Sequence, residues 1–271
     1  MSTALTLPHR ACLTVGGDGA TEFLQNLITC DVEGLAEGET TAGALLTPQG
    51  KVLFDFLIVR RGGAFLMDVA ADRRDELLRR LAFYRLRAPV TLEAQDCAVG
   101  FDPSGVEGVS DPRRAALGSR VWGAAGPDGT GAWHAHRIAC GVPECGSDFA
   151  PDSTFAHEAM LDQFERGGVD FAKGCYVGQE VVSRMKHRGT ARSRFVPIEG
   201  DGLPPMGCEL ALDGRRIGTM GSSVNGAGLA LVRIDKVAPG DRVTFEGGVA
   251  TLHPSPFDGF EWPGAAERAS Q

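Results

Sequence analysis

The chain has 271 residues, 43% hydrophobic and 23% charged, with 27 Lys and Arg against 35 Asp and Glu for a formal charge of −8. That length fits one large or two modest domains, and the acidic balance disfavours nucleic acid and anionic lipid as partners of the whole surface, although a local basic patch survives this argument. No apolar run is long enough for a secretion signal or membrane helix, and seven scattered cysteines without a Cys-x-x-Cys pair read as reduced thiols, so the expected location is the cytoplasm.

The predicted elements start at Asp18, where DGATEFLQNLITCDV places Ala20, Phe23, Leu24, Leu27 and Ile28 on one face of an amphipathic helix. AGALLT, KVLFDFLIV and AFLMDVA follow as strands of a meander, punctuated by Pro48-Gln49-Gly50 and by Arg60 to Gly63. Asp72 is placed to cap the helix DRRDELLRRLAFY, with Leu77, Leu78, Leu81 and Phe83 as its buried stripe, and PVTLEA and CAVGF return to the sheet. Residues 99–121 are weakly patterned. AWHAHRIA reads as a strand ending at Cys140, and STFAHEAMLDQF as a short helix with Ser153 as N-cap. Between 194 and 252, short strand-like runs separated by Gly, Pro and Asn-Gly have the spacing of a small antiparallel barrel. The expected division is an α/β region over 1–190, a β-barrel over 191–260 and a frayed tail over 261–271.

Chemistry is densest in Lys173-Gly174-Cys175-Tyr176-Val177-Gly178-Gln179-Glu180, where glycines on both sides leave a sulfur approachable just before an apparent helix. A helix N-terminus and a neighbouring lysine both favour thiolate, which singles out Cys175 among the seven; a buried structural cysteine in a tight turn is the plain alternative. Beyond it, Arg184, Lys186, His187, Arg188, Arg192 and Arg194 form a basic island that suits an anionic tail or, equally, a solvated helix face. The island lacks the interleaved aromatics that RNA binding uses. His134, His136, Cys140 and Cys145 fit no structural zinc spacing, so no metal is expected. Asp55 inside KVLFDFLIV is a costly carboxylate unless it is paired, used or turned to solvent on an edge strand, and Glu158 between Ala156, Ala159 and Met160 raises the same question.

The run KGCYVGQEVVSRMKHRG resembles the signature of the YgfZ family of folate-binding proteins, which are tied to iron–sulfur cluster assembly and repair. GDGATEFLQNLITCDV, ALLTPQGKVLFDFLIV, YRLRAPVTLE and GLALVRID resemble further segments of that family in the same order, so the resemblance covers nearly the whole chain. It implies an α+β, three-lobed aminomethyltransferase-like fold, shared with the glycine-cleavage T-protein, in which a bi-lobed folate-binding α/β part precedes a small antiparallel β-barrel. It also implies tetrahydrofolate or a one-carbon derivative as cofactor, Cys175 as the functional thiol, and Lys173, Tyr176, Gln179 and Glu180 building its turn and surroundings. Glu158 matches the carboxylate that grips the pterin in the transferases, and Arg184, Arg188 and Arg192 are candidates for the folate tail. Asp55 matches the acid–base aspartate of those enzymes, but Phe56 stands where they carry a second aspartate. The implied function is a folate-binding accessory factor for iron–sulfur client or assembly proteins. A folate-dependent one-carbon transferase using Asp55 and a thiol-redox sensor are the alternatives, so enzyme status stays open.

Overall fold

The computed structural model describes residues 3–189 and 191–264. The first half contains β1 (Leu5–Thr6), β2 (Arg10–Gly16), α1 (Ala20–Gln25), β3 (Thr40–Leu46), β4 (Val52–Arg61), β5 (Ala64–Ala70), α2 (Arg74–Arg85) and β6 (Thr91–Gln95). Then come β7 (Val99–Asp102), β8 (Val109–Ser110), β9 (Ser119–Trp122), α3 (Thr130–Ala139) and α4 (Gln179–Arg188). The chain ends in β10 (Ser193–Glu199), β11 (Glu209–Leu212), β12 (Arg215–Val224), β13 (Ala227–Arg233), β14 (Arg242–Phe245) and β15 (Gly248–Leu252). These strands make a sheet ordered β3-β4-β5-β2-β6, a second ordered β1-β7-β9-β8, and a closed barrel β10-β13-β12-β11-β14-β15. The α+β class and the terminal barrel read from the sequence are what the chain forms.

Strand β4 shows why the first sheet is covered on both faces. Side chains alternate along a strand, so Phe54, Phe56 and Ile58 enter the core beneath α1 and α2, where they meet Phe23, Leu24, Leu77 and Leu81. Val59 joins the opposite, central core with Trp133, Phe149 and Tyr176, and Val52 reaches that core as well at the start of the strand, beside the register shift at Leu45/Leu46. Asp55 lies between Phe54 and Phe56 in this alternation and faces that central side.

At the centre the three lobes are tied by ions. Arg10 on β2 donates from Nε to Asp68 Oδ1 on β5 at 2.7 Å, and Arg120 on β9 pairs with the other oxygen of Asp68 at 3.2 Å. Arg113 grips Asp111 through Nε and Nη2 at 3.0 and 2.8 Å and reaches Glu144 at 3.0 Å. Arg137 on α3 lies 3.4 Å from Glu144 and 2.6 Å from Asp148, whose Oδ1 accepts the N–H and the hydroxyl of Ser222 on barrel strand β12. Four arginines thus face four carboxylates, and none of these side chains is more than 6% exposed. The Arg120 guanidinium also lies over the Trp133 ring at 4.4 Å. Burial alone would raise the Glu144 and Asp111 carboxyls, but the surrounding arginines outweigh it and hold both below the ordinary range.

Several local expectations give way. AWHAHRIA belongs to helix α3, in which Trp133, Arg137 and Ile138 are the buried residues. The spacing of Trp133 and Arg137 is one helical turn, and the two-residue histidine alternation is incidental. STFAHEAMLDQF is a series of turns holding one 3-10 turn, Leu161–Gln163. Here the Glu158 carboxylate accepts the Phe155 N–H at 3.0 Å, a local bond that competes with a helical ladder. Asp72 sits in the 3-10 turn Ala71–Arg73 and caps nothing, and Phe83 is 75% exposed instead of buried. Of the expected tail, Trp262 packs against the barrel core and the Gly264 N–H donates to Ile234 O, while residues 265–271 lie outside those described.

Cutting the ionic chain at its link to the barrel leaves buried Arg137 with only the longer contact to Glu144, which Arg113 shares, and leaves Ser222 without its acceptor. Asp148→Ala is therefore expected to destabilise the chain by about 3–5 kcal/mol, measured by urea denaturation. Because the folded carboxyls of Glu144 and Asp111 sit below their unfolded values near 4, their contribution is complete above about pH 5 and is lost as pH falls through and below 4. A pH series of urea midpoints checks this.

Candidate functional site

The cysteine motif is fixed by its backbone partners. Asp170 Oδ1 accepts the N–H groups of Ala172 and Lys173 at 2.7 and 3.0 Å, an Asx-type turn that sets the direction of the loop. The Lys173 ammonium then crosses to the segment after α1 and donates to Ile28 O at 2.8 Å and Cys30 O at 2.7 Å, while lying 5.4 Å from the centroid of the Tyr176 ring. Tyr176 is buried in the central core. At the far end Gly178 adopts φ +84°, and a Cβ there would lie 2.6 Å from Thr47 O. Only glycine lets α4 seat this closely on the hairpin turn 47–50 that joins β3 to β4.

Between these anchors Cys175 is exposed, and it is the one exposed thiol of seven: Cys12, Cys30, Cys140 and Cys145 are buried, and Cys97 and Cys208 are intermediate. The helix after it begins at Gln179 with Gly178 as N-cap, so Cys175 lies three residues before the N-cap instead of in the first turn. Lys173, the other positive group expected to act on the thiol, is engaged by the two carbonyls, and burial lowers the pKa of its ammonium. Gln179 and Glu180 open α4; Glu180 pairs with Arg184 on the solvent side of the helix. Arg188 and Arg192 are exposed, whereas Arg194 is closed onto Asp162 through two bonds of 2.7 Å and onto His157 O at 2.8 Å.

Asp55 occupies a different place. It lines the central cavity with Arg10, Arg113, Phe149, Leu161 and Phe164, and these side chains leave only about 10 Å³. That is room for about one water. Asp55 Oδ2 accepts the Cys145 N–H at 3.1 Å, and burial raises its carboxyl, opposed in part by Arg10. Glu158, Arg184, Arg188, Arg192 and Cys175 do not line this cavity. The bicyclic ring of a tetrahydrofolate does not fit among the side chains as they stand. Glu158, whose carboxyl burial also raises, serves the Phe155 turn.

The histidines that drew attention separate as well. His134 stacks on His9 at 5.3 Å and His136 lies against Phe101 at 6.2 Å, and among the described residues no three His, Cys, Asp or Glu side chains form a metal-binding group. Sequence reasoning missed the ionic centre, because Asp111, Arg113 and Arg120 fall in the weakly patterned stretch. It also missed an opening of about 350 Å³ lined by His157, Phe171 and Lys186. Of its lining, Lys186 and Arg194 carried a signal, as parts of the basic island.

Comparison with known proteins bears on this geometry. Residues 192–259 match the model of the CAF17 C-terminal β-barrel domain. A protein of Neurospora crassa named as a mitochondrial iron–sulfur cluster assembly factor IBA57 homolog is 30% identical over 230 residues, covering 70% of this chain and 52% of that protein. The Mycosarcoma maydis homolog is 31% identical, with 73% and 58% covered, so the chain spans little more than half of these two relatives. Human mitochondrial IBA57 is 28% identical over 279 residues, covering 85% of this chain and 77% of that one. The aminomethyltransferase T structure of the Bartonella henselae glycine cleavage system superposes with a TM-score of 0.75 at 17% identity, covering 94% of this chain and 85% of the other. The cytoplasmic expectation is overturned here: these relatives are named as mitochondrial. The fold is that of the aminomethyltransferases, the C-terminal barrel is of the CAF17 type, and the sequence is similar to the IBA57 iron–sulfur cluster assembly factors.

Proposed function

We propose that the chain serves iron–sulfur cluster assembly on partner proteins and that Cys175 is the thiol it presents to them. The observation that carries this reading is the exposure of Cys175 alone among seven thiols, on a loop stapled at both ends by Lys173 and Gly178. The names of the IBA57 relatives and the YgfZ-like motif support the same class of work. A cluster held within one chain usually takes four cysteinyl ligands, so one exposed thiol serves a shared or passing contact. Client or assembly proteins are the partners this requires. Tetrahydrofolate would enter the centre only if Arg113, Phe149 or Phe164 swung aside, and the proposal does not rest on it.

One-carbon transfer through Asp55 is the weaker reading, because that carboxyl is enclosed and its charged form is disfavoured by burial. Asp55→Asn keeps an acceptor for the Cys145 N–H and removes an ionisable group from this site. It is expected to leave stability at pH 7 unchanged or raise it by up to about 1 kcal/mol and to leave cluster-dependent activities intact.

In a strain lacking the gene, the wild type restores [4Fe–4S]-dependent enzyme activity and Cys175→Ala does not, although its stability stays within about 0.5 kcal/mol of wild type because the side chain is exposed. Full restoration by Cys175→Ala contradicts the proposal. Thiol titration of the native chain is expected to show one fast-reacting cysteine, lost in that variant, and seven after unfolding. Lys173→Met leaves two main-chain carbonyls without their donor and is expected to cost about 1–3 kcal/mol in urea denaturation.

A further inference from the structure

Away from Cys175, a pocket of about 350 Å³ opens between α4, the turns over 157–163 and the segment 259–263 that returns across the barrel. That volume falls in the range of about 300–1,000 Å³ typical of small-molecule sites. Its walls include Phe171, Met185 and Phe260. Also on the lining is His157, only 2% exposed, whose two ring nitrogens have no hydrogen-bond partner among the described residues. Burial lowers the pKa of this imidazole, so at neutral pH it offers one donor and one acceptor. Leaving such a group without a partner is costly, and a ligand that meets it is rewarded.

The charges of the pocket are unequally free. Arg194 and Asp162 neutralise each other through their paired bonds, and Arg194 also holds the His157 carbonyl, so this pair forms a wall. Lys186 has its ammonium 3.5 Å from the centroid of the Phe171 ring and, among the described residues, no carboxylate in ion-pair contact. A cation–π contact at an exposed site is worth about 0.5–1 kcal/mol, so the ammonium leaves the ring readily for an anion. Glu261 at the mouth is exposed and repels a dianion more than a monoanion. Among the described residues, a cation without a carboxylate partner, aromatic walls and an unmet imidazole together specify a flat monoanion with a hydrogen-bonding ring atom.

We propose that this pocket binds a small planar heteroaromatic carboxylate, with its ring against Phe171 and Phe260, a ring heteroatom on His157 and its carboxylate on Lys186. Cys175 is not among the lining residues, and the proposal stands or falls independently of the cluster-assembly reading.

Calorimetric titration of the full chain with quinoline-6-carboxylate, 2-naphthoate and quinoline tests it. The first probe is expected to bind saturably and at least about fivefold tighter than 2-naphthoate, which lacks the ring nitrogen, and than quinoline, which lacks the carboxylate. Lys186→Met removes the preference over quinoline, and His157→Phe removes the preference over 2-naphthoate. Should His157→Phe fail to fold, the imidazole ¹⁵N resonances of His157 in the wild type must shift on titration with quinoline-6-carboxylate. No saturable binding at millimolar probe, equal affinity for all three probes, or a Lys186→Met variant that keeps the wild-type preference overturns the proposal.

Discussion

A chain of buried ions is the constraint around which the three lobes are arranged. Arg10 and Asp68 belong to the first sheet, Arg120 to the second, Arg137 to α3, and Asp148 passes the connection to Ser222 on the barrel. Each charge was taken from water at a cost of several kcal/mol, and only close pairing offsets it. Such a network adds little net stability, yet it penalises every arrangement of the lobes that separates one partner from another. The relative placement of sheet, sheet and barrel is thereby specified more sharply than apolar packing alone would do.

Filling the centre with ion pairs has a functional consequence. In a fold whose three lobes meet around a common middle, Arg10, Arg113 and the rings of Phe149 and Phe164 occupy the space beside Asp55. The exposed thiol lies elsewhere, on a loop that is irregular in outline but fixed at both ends. Lys173 is a fastener in this account, not a reagent: its ammonium satisfies carbonyls contributed by residues more than 140 positions earlier in the chain. The motif therefore combines a rigid mount with an exposed sulfur.

The sequence made some of this legible and hid the rest for physical reasons. The amphipathic helix near Asp18, the meander and the barrel were readable because periodicity is a local property of the chain. The cysteine motif was readable because the glycine that closes it, Gly178 at φ +84°, leaves a compositional mark. Helix α3 was misread since its buried Arg137 breaks the apolar stripe, and a charged residue scores as surface until its partner is known. That partner, Asp148, is 11 residues away, and the next in line, Ser222, is 85. The turns over 153–164 were read as a helix because the sequence pattern does not show that Glu158 caps its own neighbour. Glu158 and Asp55, both singled out by resemblance, are engaged separately by the fold: Glu158 accepts the Phe155 N–H, and Asp55 accepts the Cys145 N–H in the central cavity.

The central claim is that the Cys175 sulfur is the atom through which this chain meets a cluster-bearing partner. Mass-spectrometric footprinting with iodoacetamide, in the presence and absence of a [2Fe–2S]-loaded carrier protein, addresses that atom directly. Slower alkylation of Cys175 with the loaded carrier than with its cluster-free form, while Cys208 on the barrel reacts unchanged, is the result the account predicts. Equal alkylation of Cys175 in both mixtures would contradict it.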